Sequence, residues 1–487
     1  MKNTTAVKTH WIYLAVLLLM ILGAAFRLIT LKHEALFADE LFSRNIAMQT
    51  LPHALELVRQ DLVRPPLYYL LLKAAVSIGG ADALWLRSFS LLFGIASIAL
   101  IAILGYRLPG ARWCGLLAAA GMAVSQQEVY YSQEAQPYAF YTMLVVLLVL
   151  WVEAISRRER DSRLWTAGFF LMLLLVYTHY MGSLYVAAAV LTLLVCKLET
   201  RTKVFAVASA AGAALLFTPW LIAISSVYKK KHGIGTTLGW YGHPGLFDLK
   251  SLWASAVGVM NYRGATTAAI VVILMLSTAA LTLVSRKQTL RRSPAIVALA
   301  VMAVLPPIIV FFLSIPPVSL TIFAFRHLLP STAVLLLLCC YGLERISQAS
   351  GKQAYPVAVC GSALLLFLGA FPTVQVLLAG PSRIPYDKVA LQIEASDRGG
   401  TQAFAASDFL SGPVNFYCKS TCVQILPENE SGLPPLLLLL YRPKSETDAS
   451  KYSHLIQSGY VDVNHDFYTN GSGSPWGTMV AKLERRR

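Results

Sequence analysis

The sequence predicts an α-helical polytopic membrane protein that carries a small α/β domain at its C-terminus. Apolar residues make up 56% of the chain and charged residues only 14%, a balance outside the range of ordinary soluble domains. Apolar stretches near the length of a bilayer crossing recur from residue 11 to residue 378, where ~20 residues suffice for one helical span. Beyond residue 380 the texture changes to mixed polarity, Gly/Pro turns and scattered charge. The boundaries that follow are 1–379 for the membrane portion and 380–487 for the terminal domain.

The run 10–31 starts after Lys2 and Lys8 and lacks a small-residue cleavage site, which reads as an uncleaved anchor. Further spans are expected at 84–106, 113–126, 138–155, 164–178, 182–196, 204–226, 264–284, 295–313, 328–346 and 354–378, about eleven in all. Their cores look nearly free of charge. The stretch "PPLYYLLLKAAVSIGG" (65–80) contains Lys73 and is short for a span. It is expected to lie along the outer interface, with Pro65 and Pro66 at its start, where proline is tolerated. A first outer loop, 32–83, results.

The net charge of +16 suits this topology better than a nucleic-acid partner. Arg107 and Arg112, the cluster Arg157, Arg158, Arg160 and Arg163, then Lys197, Arg201 and Lys203 fall in alternate short loops. Arg286, Lys287, Arg291, Arg292, Arg345 and Lys352 continue the series. Cytoplasmic loops carry such an excess. The N-terminus is then cytoplasmic, and the loops 32–83, 127–137, 227–263 and 314–327 share the outer face with His179 and the C-terminal domain.

In the terminal domain "AFAAS", "CVQIL", "LLLLLY" and "GTMVAKLE" read as strands, and 385–397 and 446–458 as helices. The run "LLLLLY" is too short to span and reads as a buried strand. Of the seven cysteines, Cys418 and Cys422 lie in this domain. In an oxidising compartment they pair as a disulfide; a C-x3-C zinc half-site is the weaker reading, because no second ligand pair is evident.

Outer-face residues suited to chemistry are few. Asp39 and Glu40, flanked by Leu36, Phe37, Leu41 and Phe42 in "EALFADELFSRN", are acidic for an apolar interfacial segment. A partly desolvated carboxylate can accept a proton from an attacking hydroxyl or amine. The bland alternative is helix capping by Asp39 with a solvated Glu40. Arg64, held extended before Pro65 and Pro66, suits a lipid phosphate; pairing with Asp61 or snorkelling is its alternative. Glu134 stands among Tyr130, Tyr131, Tyr138 and Tyr141 in "VYYSQEAQPYAFY", where tyrosines alone make an ordinary interfacial belt. Lys229, Lys230, Lys231, Arg326 and His327 place positive charge on the outer side, against the topological trend, which suits an anionic ligand or, for the lysines, lipid headgroups. His179 in "YTHYMG" suits a metal or phosphate, although a lone histidine is more often structural. No P-loop, GxGxxG or HExxH occurs, so no fingerprint of nucleotide hydrolysis or zinc proteolysis is present.

An acidic pair just after the first span, "PPLYYLLL", "LRSFSLLFGI", "YYSQEAQPYAFY", "YTHYMG" and a late "FRHLLP" follow one another in this order. The ordered set resembles the membrane glycosyltransferases of the C-type fold, nearest to the protein-mannosyltransferase and lipid A aminoarabinose transferase superfamily. The likeness covers residues 10–345. It implies an enzyme of the bacterial inner membrane that takes a sugar from a polyprenyl-phosphate lipid on the extracytoplasmic face. Its acceptor is a lipid, glycan or protein, and no nucleic acid is involved. Asp39 looks like the catalytic carboxylate and Glu40 its supporting neighbour. Arg64 stands where relatives place His or Lys, and Gln136 where an Arg is common. Arg326 resembles a basic residue near the donor phosphate. Arg64, Arg326 and the lysines 229–231 are thus expected at the donor phosphate. Asp61, Glu134, Tyr138, His179 and His327 are expected to line the substrate site. No cofactor is required, and a divalent metal stays open. A flippase for polyprenyl-linked glycans would instead favour ionisable residues inside the span cores. A ligase or polymerase using a diphosphate carrier would place key cations in large late outer loops such as 227–263.

Overall fold

The computed structural model describes residues 2–31, 35–230, 243–256, 293–349, 354–379, 385–397, 401–418, 422–427, 432–443, 446–469 and 477–485. Helices dominate up to residue 397 because, in apolar segments, a helix pairs its backbone N–H and C=O groups within the segment, as a bilayer demands. In chain order they are α1 (Lys2–Leu31), α2 (Ala38–Met48), α3 (Leu51–Asp61), α4 (Leu67–Gly79), α5 (Ala83–Arg107), α6 (Cys114–Val124) and α7 (Gln126–Ser132). Then follow α8 (Tyr138–Arg157), α9 (Ser162–Thr178), α10 (Gly182–Val195), α11 (Thr200–Lys230), α12 (Leu246–Ser255), α13 (Pro294–Ser314), α14 (Leu329–Ala349), α15 (Ala354–Ala379) and α16 (Tyr386–Asp397).

Among the described residues seven helices are long and apolar enough to cross a bilayer, within α1, α5, α8, α11, α13, α14 and α15. Helices α4, α6, α9 and α10 are apolar but shorter. The chain is a multi-pass integral membrane protein, with fewer full-length spans among the described residues than the sequence predicts. The expected span 264–284 lies outside the described residues. The expected outer loop 127–137 is partly helical, as α7.

Two compact units form. The membrane unit comprises the described parts of residues 1–28, 46–81 and 85–373. Its helices approach closely where side chains are smallest: a Cβ on Gly105 of α5 would come within 2.3 Å of Gly115 Cα on α6. Backbone contact of this kind is how helices pack without a hydrophobic gradient. Glu344 of α14 is fully buried, and its carboxylate accepts the N–H groups of Arg112 (2.5 Å), Trp113 (3.1 Å) and Cys114 (2.8 Å). A charge supplied from another helix thereby satisfies donors that the start of α6 leaves open.

The expectation of nearly charge-free span cores is corrected by Arg27. It lies within the first span and is 0% exposed. The reason is a broken helix: α6 ends at Val124, Ser125 is extended (ψ 124°), and α7 begins anew. Arg27 donates to the carbonyls of Met122 (3.2 Å), Ala123 (3.2 Å) and Gly23 (3.0 Å). Thr373 Oγ1 donates to Val124 O (2.5 Å). Carbonyls freed by the break would otherwise go unpaired inside the membrane unit, at a cost of several kcal/mol (roughly 2–7).

The C-terminal unit is built on a five-stranded sheet, β1 (Gln402–Ala405), β2 (Val423–Ile425), β3 (Leu436–Tyr441), β4 (Tyr460–Thr469) and β5 (Gly477–Arg485), in the order β2-β1-β3-β5-β4. β1 pairs in parallel with β2 and β3; β5 is antiparallel to β3 and β4. Helix α16 and α17 (Asp408–Tyr417) bury Val389, Ile393, Leu410 and Val414 with Ala403, Leu438 and Leu440. On the other residue parity, Phe404, Leu437 and Leu439 form a second core with Leu455 of α18 (Glu446–Gln457). A strand covered on both faces needs no polar alternation, which explains the run "LLLLLY". The sequence reading anticipates neither β4 nor α17. Cys418 and Cys422 form a disulfide with Cα atoms 6.1 Å apart.

The described residues of 29–45 also belong to this unit. Ala35 enters its core, Phe37 stacks obliquely near Tyr386 (6.4 Å), and Leu36 N–H donates to the Tyr417 hydroxyl (2.5 Å). The sequence reading assigns this acidic segment to the membrane portion.

Candidate active site

The acidic pair opens α2, and the two carboxylates have different surroundings. Phe37 precedes the helix, so Asp39 and Glu40 fall at its second and third positions. Glu40 is 1% exposed and its Oε2 accepts the Phe37 N–H (3.0 Å). That is half of a capping box. Asp39 is only partly buried. The alternative in which Asp39 caps the helix and Glu40 is solvated is therefore reversed. Alongside, an open groove of about 490 Å³ runs between α2 and α17, with Leu41, Phe42 and Arg44 on one wall and Pro413 and Phe416 on the other. The Arg44 guanidinium lies 4.9 Å from the Phe416 ring centroid, a cation–π contact.

Inside the membrane unit a second polar cluster forms from residues far apart in sequence. Arg64 is delivered by the turn between α3 and α4, where Leu62 adopts φ 61°, a left-handed conformation costing about 1–2 kcal/mol. Arg64 is 4% exposed and donates to the hydroxyls of Tyr69 and Tyr138, both at 3.2 Å. Arg326, in the 3₁₀ turn Phe325–His327, sits 5.9 Å from the Tyr138 ring centroid. Tyr131 meets Tyr138 edge-on at 5.3 Å. His179 follows α9 in extended conformation, stacks on Tyr141 (4.8 Å, 12° between planes) and faces His327 at 5.2 Å. Burial, followed by the charges of His327, Arg64 and Arg326, pushes the His179 imidazole well below the usual histidine range. It is neutral near pH 7.

The structure thus gathers Arg64, Arg326, Tyr138, His179 and His327. Glu134 is buried, and its charge adds to the effect of burial in raising the Tyr131 phenol. Asp61, half-buried at the end of α3, acts likewise on Tyr180. Lys229 and Lys230 are exposed in the last turn of α11, and Lys231 lies outside the described residues. Among the described residues no three His, Cys, Asp or Glu side chains converge. Tyr69, Tyr141 and Tyr417 go unassigned by the sequence reading. Tyr69 and Tyr141 lie within its motifs, and nothing local marks Tyr417.

The fold has counterparts among solved structures. The apo crystal structure of ArnT from Cupriavidus metallidurans superposes with TM-score 0.57 at 12% identity, covering 98% of both chains. The fold is shared. The same enzyme bound to undecaprenyl phosphate gives TM-score 0.55 at 12% identity, covering 97% of this chain and 98% of that one. The archaeal oligosaccharyltransferase AglB from Archaeoglobus fulgidus, in complex with an inhibitory peptide and a dolichol-phosphate, gives 0.54 at 11% identity. That match covers 86% of this chain and 65% of AglB. The resemblance to C-type membrane glycosyltransferases thus holds at the level of fold. No protein-family model matches the sequence, nor does any curated protein at a significant level.

Proposed function

We propose that this protein transfers a sugar from a polyprenyl-phosphate carrier to an acceptor on the extracytoplasmic face of the membrane. The observation that carries the proposal is the convergence of Arg64 and Arg326 on Tyr138 beside His179 and His327, in a membrane unit of this fold. Fixed cations beside a membrane suit a lipid phosphate. Structural neighbours of this fold bind undecaprenyl phosphate and a dolichol-phosphate, which supports the same carrier class here.

In the proposed reaction Asp39 takes the proton of the acceptor hydroxyl or amine. The acceptor atom bonds to C1 of the sugar as the C1–O bond to phosphate breaks. The electron pair leaves with the polyprenyl phosphate, which goes from a singly charged diester to a monoester. Preplaced donors act where this charge develops, and Arg64 and Arg326 are the residues to supply them. One displacement inverts C1. Glu40, occupied with the helix start, holds the segment in place. The groove beside α2, where one guanidinium and the amides of Asn45 and Asn415 stand among apolar side chains, is the proposed seat of the acceptor.

Buried charges inside spans favour a transporter instead: Arg87 of α5 and Arg27 of α1. The Arg27 guanidinium is engaged by three carbonyls, which gives it a structural role and leaves the transferase reading ahead. The test uses purified protein, a panel of polyprenyl-phosphate sugars and extracts holding candidate acceptors. Release of polyprenyl phosphate by the unsubstituted protein but not by Asp39→Asn is expected. Lipid movement across vesicles without turnover of any donor would overturn the reading in favour of a flippase.

A further inference from the structure

His179 has one nitrogen engaged and one waiting. Its Nδ1 accepts the backbone N–H of Met181 at 3.2 Å. A neutral imidazole accepting at Nδ1 carries its proton at Nε2. That Nε2–H is buried, in a residue 2% exposed, and has no hydrogen-bond partner among the described residues. Such a donor costs about 1–3 kcal/mol to leave unmade, so it marks a place where an acceptor belongs. Around it the chemistry has one sign. His327 faces the ring at 5.2 Å, Arg64 and Arg326 are near enough for their charges to act on it, and Tyr141 stacks beneath it. A second cation is disfavoured there and an anionic oxygen is favoured.

We infer that His179 donates its Nε2–H to a phosphate oxygen of the polyprenyl-phosphate lipid, as a neutral third donor beside Arg64 and Arg326. The inference rests on the proposed donor class and adds a residue whose role depends on tautomer rather than charge. Tyr141 fixes the ring plane by stacking, and the Met181 N–H fixes the tautomer. A neutral donor suits a site that must release its product: it contributes direction to the phosphate without adding to the charge that would retain the monoester.

The test titrates the full-length protein in detergent micelles with undecaprenyl phosphate and with undecaprenol, which share a tail and differ in the phosphate. The unsubstituted protein is expected to prefer the phosphate lipid. His179→Leu should lower affinity for undecaprenyl phosphate by about tenfold to a hundredfold, the range for a hydrogen bond to a charged group, and leave undecaprenol binding unchanged. His179→Gln, whose amide nitrogen reaches the Nε2 position, should retain most of the affinity. His179→Asn, whose amide falls near Nδ1, should behave like His179→Leu. Unchanged discrimination in His179→Leu would overturn the inference alone. If that variant fails to fold, equal phosphate affinities for the Gln and Asn variants would overturn it just as well. Equal binding of both lipids by the unsubstituted protein would overturn the polyprenyl-phosphate reading, and this inference with it.

Discussion

The cluster around Tyr138 and the acidic turn of α2 are built by opposite means. In the membrane unit, polar groups come together from α4, α8, the end of α9 and the turn before α14, and they are held by burial among aromatic rings. In the C-terminal unit, the acids are adjacent in sequence, and their segment is held by a hydroxyl, a capping carboxylate and a few apolar contacts. The first arrangement suits binding, where several fixed donors must agree in direction. The second suits proton transfer, where one accessible carboxylate must be presented. Binding and chemistry should therefore separate under mutation.

The largest expected effect is on chemistry alone. Asp39→Asn should lower the transfer rate by about 10²–10⁴-fold, the range for losing a general base, with undecaprenyl phosphate affinity unchanged in the same preparation. Next comes Arg64→Ala, which should weaken undecaprenyl phosphate binding by about tenfold to a hundredfold. Arg64→Lys should recover only part of this, because an ammonium cannot reach both tyrosine hydroxyls in a fixed fork. A finding that Asp39→Asn weakens binding as much as Arg64→Ala would erase the distinction between the two regions.

A smaller effect tests how the acids are presented. Tyr417→Phe removes the hydroxyl that accepts the Leu36 N–H, worth about 0.5–1.5 kcal/mol. It should reduce kcat a few-fold at unchanged lipid affinity. Glu344→Ala, in the membrane unit, leaves three N–H groups at the start of α6 without their carboxylate. It should lower the thermal midpoint in detergent by the equivalent of about 1–3 kcal/mol.

The last prediction concerns pH. Burial raises the Glu128 carboxyl from 4.5 to about 7, with the Arg27 charge pulling the other way. The folded state therefore keeps this proton at pH values where the unfolded chain has released it. Stability is full below about 4.5, falls as pH rises towards about 7, and levels beyond it. Glu128→Gln should flatten that slope in melting curves recorded from pH 5 to 8.

Much of the architecture is legible in the sequence because hydropathy and strand pattern act locally. The spans within α1, α5, α8, α11, α13, α14 and α15, the strands β1, β2, β3 and β5, and the helices α16 and α18 all stand where local pattern puts them. The acidic pair is visible too, as adjacent charges in an apolar segment. What the sequence leaves undecided is which carboxylate is buried and which cations converge. Those depend on desolvation and on partners set by the fold. Arg64 meets Tyr138 across 74 residues, and Leu36 meets Tyr417 across 381. Arg27 shows the same limit: in an apolar run it reads as an incidental charge, and only the broken helix beside it supplies the carbonyls that make its burial tolerable.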